Sequence, residues 1–148
     1  MCRFSAGRST CFVHPKPLAK PLAGRTAYVG SYGANTVTPI DVAAGRAGRG
    51  IPVGYSPAAV AITGGTAFVV NTISGTVTPV STRIGHAGPP IPAGVYNYPT
   101  AIALAPGGGT AVVIGSYAGK VTLIDTRTRH ALAQVKVGAY PVAAAIAG

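Results

Sequence analysis

Pro57-Ala58-Ala59-Val60-Ala61-Ile62-Thr63, Gly64-Gly65, Thr66-Ala67-Phe68-Val69-Val70-Asn71, then Ser74-Gly75 and Thr76-Val77-Thr78-Pro79-Val80-Ser81 is the stretch that decides the fold. Three short runs rich in Val, Ile, Thr and Ala are punctuated by glycine-bearing turns, so the spacing predicts three antiparallel strands at 57–63, 66–71 and 76–81. A fourth strand is predicted through Pro90 to Ala93. A helix is a poor alternative because the runs are rich in Val, Ile and Thr, are too short and are broken by Gly or Pro.

The same pattern recurs on both sides. Thr26-Ala27-Tyr28-Val29, Thr66-Ala67-Phe68-Val69 and Thr110-Ala111-Val112-Val113 start 40 and 44 residues apart. Asn35-Thr36-Val37-Thr38-Pro39 matches Gly75-Thr76-Val77-Thr78-Pro79 and Gly119-Lys120-Val121-Thr122-Leu123, while Ile51-Pro52-Val53-Gly54 matches Ile91-Pro92-Ala93-Gly94 and Val135-Lys136-Val137-Gly138. Pro57, Pro99 and Pro141 are 42 apart, and Pro17 lies 40 before Pro57. The resulting frame is repeats 17–56, 57–98 and 99–140 with a fourth starting at 141–148, preceded by a basic extension, 1–16, expected to be unstructured. Four-stranded units of this length point to an all-β fold of β-propeller blades, here three blades plus the first strand of a fourth.

Phe68-Val69-Val70-Asn71, Gly119-Lys120-Val121-Thr122-Leu123-Ile124-Asp125-Thr126, Ile51-Pro52-Val53-Gly54 and Ala105-Pro106-Gly107-Gly108 resemble the pieces of the YVTN-type β-propeller repeat, over about residues 17–148. That resemblance implies the fold and an exported or cell-envelope protein, but no single function, since function belongs to sites rather than folds. Two departures from its pattern carry expectations. Pro39 and Pro79 remove a ladder donor, so their strands are expected at an edge or a bulge; Lys20 and Pro21 stand where Val60 and Ala61 stand in repeat two, so the innermost strand of repeat one is expected to be frayed or absent. A closed propeller has four to eight blades, so three blades are expected to leave strand edges and a blade face open and to favour self-association or further blades.

Composition limits the chemistry. With 48% hydrophobic residues and a mean hydropathy of +0.41, the 148-residue chain carries the apolar area a folded domain needs. Twelve Lys and Arg face only two carboxylates, Asp41 and Asp125, for a formal charge of +10. This permits weak polyanion binding, but no basic cluster is dense enough for specific nucleic-acid recognition. The two aspartates fall at equivalent strand ends in different repeats, too far apart for paired acid–base work, and are expected to cap turns. His14, His86 and His130 lack metal-motif spacing, Glu is absent from the chain, and no Gly-x-Ser-x-Gly elbow occurs, so no catalytic residue, metal or cofactor is assigned. Cys2 and Cys11 lie outside the repeats and imply no disulfide framework. No apolar run before Gly24 exceeds Cys11-Phe12-Val13, so no Sec-type signal is predicted, and no stretch is long enough for a membrane span.

In a propeller, loops after strands two and four emerge on one face and loops after strands one and three on the other. Sorted this way, Arg46, Arg49, Arg83, Arg127 and Arg129, with His86 and His130, form a basic rim. Tyr32, Tyr55, Tyr96, Tyr98, Tyr117 and Tyr140 fall on the opposite face, near Asn35, Asn71, Asn97 and Ser116. Tyrosine joins a rigid apolar ring to a hydrogen-bonding tip, which suits recognition, and Val95-Tyr96-Asn97-Tyr98 is the longest of these loops. The sequence therefore reads as a non-enzymatic module for binding or scaffolding a protein, peptide or glycan. The alternative is a fragment of a lactonase-like propeller hydrolase whose active residues lie in other blades.

Overall fold

The computed structural model describes residues 3–5, 8–10, 26–94 and 97–148. Cys2, Cys11, His14, Lys20, Pro21 and Tyr96 lie outside the described residues, and with them the expectation about the innermost strand of repeat one. Fifteen strands and no helix are present among the described residues. Within the basic extension, β1 (Arg3–Ser5) pairs with β2 (Arg8–Thr10). Blade one contains β3 (Thr26–Ser31), β4 (Thr36–Asp41), β5 (Arg46–Ala47) and β6 (Ile51–Pro52). Blade two contains β7 (Pro57–Thr63), β8 (Thr66–Asn71), β9 (Thr76–Ser81), β10 (His86–Ala87) and β11 (Ile91–Pro92); blade three contains β12 (Pro99–Leu104), β13 (Thr110–Gly115), β14 (Lys120–Asp125) and β15 (His130–Lys136). Every blade is an antiparallel meander, ordered β7-β8-β9-β10 in blade two and β12-β13-β14-β15 in blade three. This is the all-β, partial β-propeller architecture expected.

The blades stack face to face because strand alternation gives each one two apolar sides. All six residues of β8 are buried. Its even positions, Phe68 and Val70, pack with Val77 and Ile91 against Ala111, Val113 and Ile124 of blade three. Its odd positions, Ala67 and Val69, pack with Val80 against Val37 and Ile51 of blade one. The outer blades keep the same pattern with one side open: Val29, at the place of buried Val69, is 45% exposed, and Val112, Val121 and Leu123 of blade three are half-buried where Phe68, Val77 and Pro79 are buried.

The prolines shape the outermost strand. Phe68 and Pro79 face each other across β8 and β9, and the Pro79 carbonyl accepts from the Gly88 amide at 2.7 Å. A residue in an antiparallel strand turns its carbonyl and its nitrogen to the same side, so the donor that Pro79 lacks would point at the fourth strand. That strand is broken opposite it: β10 ends at Ala87, and β11 resumes at Ile91, which pairs with Val77. Blade one repeats the arrangement around Pro39, whose carbonyl accepts from Gly48 at 2.7 Å. The expected bulge is thus in the partner of the proline strand, and the single fourth strand expected at 90–93 is two short pieces. In blade three Leu123 takes the proline position, and β15 runs unbroken for seven residues with one irregularity, at Leu132. Leu123→Pro should therefore split β15, cost about 1–3 kcal/mol and speed amide exchange around Ala133; unchanged exchange there would contradict this origin of the break.

Candidate functional site

Hydrogen bonds between loops fix the two faces. The Thr72 amide donates to the Ser56 carbonyl at 2.9 Å and the Ser116 amide to the Tyr98 carbonyl at 3.3 Å, tying the turn after each second strand to the loop that enters the same blade. The Ser56 amide also donates to Asn35 Oδ1 at 2.9 Å and the Tyr55 amide to Ser74 Oγ at 2.7 Å. On the other face, the Thr82 amide and hydroxyl both donate to the Gly65 carbonyl at 2.9 Å.

On the first face, Tyr32, Tyr55, Tyr98, Tyr117 and Tyr140 are 41–69% exposed. The structure brings three of them together. Tyr98, Tyr117, Tyr140 and Ser116 line an open recess of about 450 Å³, with the Tyr98 and Tyr117 rings edge to face at 5.6 Å and 71°. Tyr32 and Tyr55 are exposed elsewhere on the face and do not line it. Tyr28 is turned into the blade one–blade two core, where burial raises its pKa.

The recess is built on an unusual backbone. Tyr98 and Tyr140 hold φ of 43° and 54°, and Ser56 at the equivalent place holds 58°. Each precedes a repeat proline, which already restricts it, and a left-handed tyrosine costs about 1–3 kcal/mol. The surrounding bonds hold it there: Thr72 Oγ1 donates to the Pro99 carbonyl at 2.8 Å, and Ser116 Oγ makes the matching bond to Pro141 at 2.9 Å. This Ser/Thr-to-proline link was not among the expected site features. Its sequence signal is a hydroxyl at 72 and 116 with a proline 25–27 residues on.

Asn71 and Asn97, expected near the face, are 0% and 1% exposed and belong to the interior. They fill the same kind of space from opposite sides. In blade two the asparagine is on the second strand and a glycine on the loop, a Cβ on Gly54 falling 2.7 Å from the Asn71 side chain. In blade three the strand carries Gly115 and the loop carries Asn97, which occupies the space a Gly115 Cβ would need. Asn71 Nδ2 donates to Thr78 Oγ1 at 2.8 Å and Asn97 Nδ2 to the Ala93 carbonyl at 3.0 Å, while neither Oδ1 atom has a partner among the described residues. Part of the longest loop is therefore structural.

On the basic rim, Arg46, Arg83, Arg127 and Arg129 are exposed at or beside the turns after the third strands. Arg49 is exposed too, but stands in the break between β5 and β6 and not on the rim. Arg129, at φ 60° where blades one and two use Gly45 and Gly85, reaches within 3.5 Å of Thr66 Oγ1 of blade two. The aspartates cap turns. Asp41 Oδ1 accepts from the Ala44 amide at 3.0 Å, and Asp125 Oδ1 accepts from Arg127 and Thr128 at 2.9 and 2.8 Å. The Thr128 amide above all holds the Asp125 carboxyl below the usual range, so its contribution to stability is present above that range and fades as pH falls through the lowered value. Among the described residues no three His, Cys, Asp or Glu gather to hold a metal, and no helix is long and apolar enough to cross a membrane.

No family model matches the chain, and no curated protein does. Among solved structures it is similar to the hydrazine synthase of Kuenenia stuttgartiensis, a β-propeller-containing protein, with a TM-score of 0.74 and 23% identity over 93% of this chain. The chain spans 40% of the length of that protein, and a likeness at this identity speaks to fold alone. The asparagine exchange is directly testable: Gly115→Ala should cost about 3 kcal/mol by overpacking, and adding Asn97→Gly should recover part of it. Denaturant midpoints that add independently would contradict the shared space.

Proposed function

We propose that the chain is a non-enzymatic propeller repeat module of the YVTN type that binds an extended peptide or glycan chain on its tyrosine-bearing face. One observation carries this reading: Tyr98, Tyr117 and Tyr140 converge with the Ser116 hydroxyl on one open recess while remaining exposed. Its volume falls within the roughly 300–1,000 Å³ range of ligand sites. Rigid rings present apolar area at small entropic cost, and stack on the C–H faces of sugars or on proline rings, while a hydroxyl fixes orientation. The left-handed backbone at Tyr98 and Tyr140 fits a site held in shape before its ligand arrives.

Truncating exposed rings should leave the fold intact. Tyr98→Ala and Tyr117→Ala should each cost less than about 1.5 kcal/mol, the size of an edge-to-face pair, against roughly 3–5 kcal/mol for a buried aromatic. Both should lose the ligands that the native chain retains on glycan and proline-rich peptide arrays. Large destabilisation by both, or capture indifferent to both, would end this reading.

The rim supports a second, weaker interaction. Arg46, Arg83 and Arg127 are exposed and recur after each third strand on a chain of charge +10, which favours low-affinity polyanion binding through counterion release. Heparin retention at low salt should vanish as salt rises. Its absence at low salt, or its persistence at high salt, would leave the rim a solubilising surface.

A further inference from the structure

We propose that the outer edge of β15 accepts an extended, acidic segment of a partner protein as an added strand. This inference is independent of the tyrosine recess. It starts from a difference between equivalent places in the three blades. The Val53, Ala93 and Val137 amides donate to the Asn35, Gly75 and Gly119 carbonyls at 3.0, 2.9 and 2.8 Å, so each outermost strand meets its neighbour in the same phase. Successive residues of a strand turn their backbone groups to opposite sides. The residue before each of these donors therefore points its nitrogen and carbonyl out of the blade. That residue is Pro52 in blade one, Pro92 in blade two and Lys136 in blade three.

Two of the three outer edges are thus closed to a further strand. Proline offers no donor, and the outermost strands of blades one and two are two-residue pieces, β5 and β6 or β10 and β11. Short strands, breaks and prolines are the devices that keep sheet edges from pairing. Blade three has none of them over Ala133 to Lys136, which pair in unbroken register with Leu123 to Lys120. Gln134 shares the outward turn of Lys136, since it lies two places before it. Both are exposed, and among the described residues β15 pairs only with β14. Blades stack through their faces, as blade two does on both sides, so a neighbouring blade leaves this edge at the circumference.

Charge selects the occupant. Lys136 and its partner Lys120 stand at one end of β15, with Arg127, Arg129 and His130 at the other. The side-chain carboxylate beside them, Asp125, already accepts from the Arg127 and Thr128 amides. A second β15 laid antiparallel on the first would bring the His130 end of one against the Lys136 end of the other, and like charges across a ladder oppose pairing. A strand bearing Glu or Asp is drawn to the same place. Main-chain hydrogen bonds then supply affinity and the flanking charges supply choice.

The test titrates the full chain at low salt with a short synthetic peptide alternating Val and Glu, and with its counterpart alternating Val and Lys. The Glu peptide should bind at least about tenfold more tightly. Lys136→Pro puts at the edge the residue that blades one and two carry there, so the β circular-dichroism signal and the unfolding midpoint should be retained. It should weaken the Glu peptide by about tenfold, the scale of a lost ladder bond. Lys136→Ala removes the charge and keeps the amide, and should weaken it by no more than about threefold, as for an exposed ion pair. The Gln134 and Lys136 amides should exchange fast in the free chain and slow when the Glu peptide is added. Attraction to the arginine rim alone would not distinguish Lys136→Pro from Lys136→Ala, and equal effects of the two would overturn the proposal. So would an absence of binding, equal affinity for both peptides, or amides at 134 and 136 already protected in the free chain, because the edge would then be taken.

Discussion

Burial of β8 on both sides is the constraint from which the rest of this structure follows. A strand buried on one side needs only alternate apolar residues, but Thr66–Asn71 has a neighbour on each side and must be apolar on both, with Ala67 and Val69 serving blade one and Phe68 and Val70 serving blade three. Because a fully buried Val or Phe side chain is worth roughly 1.5–3 kcal/mol, these few side chains join three sheets that share no backbone ladder among the described residues. They also set the stacking order, so that loops alternate between two faces and the tyrosines and arginines separate.

Much of this was legible in the sequence, for a physical reason: within a blade, strand and turn are local. The runs 57–63, 66–71 and 76–81 coincide with β7, β8 and β9 because Gly64-Gly65 and Gly75, all at positive φ, permit the turns between them. The fourth strand was harder to read. Its break depends on which way Pro79 points, and a proline in sequence announces a missing donor without saying which neighbour loses it. Leu123, standing at the same place beside a continuous β15, supplies the control within one molecule.

The candidate site was legible as a face but not as a recess. Alternation of loops assigns six tyrosines to one side, yet nothing in their spacing says that Tyr98 meets Tyr117 while Tyr32 and Tyr55 stay apart. Nor does it say that Asn97, in the loop with the most residues, is buried against a strand glycine. That contact needs the missing Cβ of Gly115, 18 positions away, and periodicity does not encode such a pairing. The polar interior and the left-handed tyrosines are costs that the apolar stacking must outweigh. They fall at the end of the blades where the recess opens, as stored strain does at binding sites.

Residue-resolved amide exchange tests the central claim most directly, since it reads how much of the molecule must open before each strand is exposed. If burial on both faces of β8 joins the blades, the amides of Thr66–Asn71 exchange only through global unfolding and are the slowest in the chain, with β10 and β11 exchanging through smaller openings. Exchange in β8 as fast as in β10 and β11 would contradict the account, because the blades would then be coming apart without unfolding the strand that is supposed to hold them together.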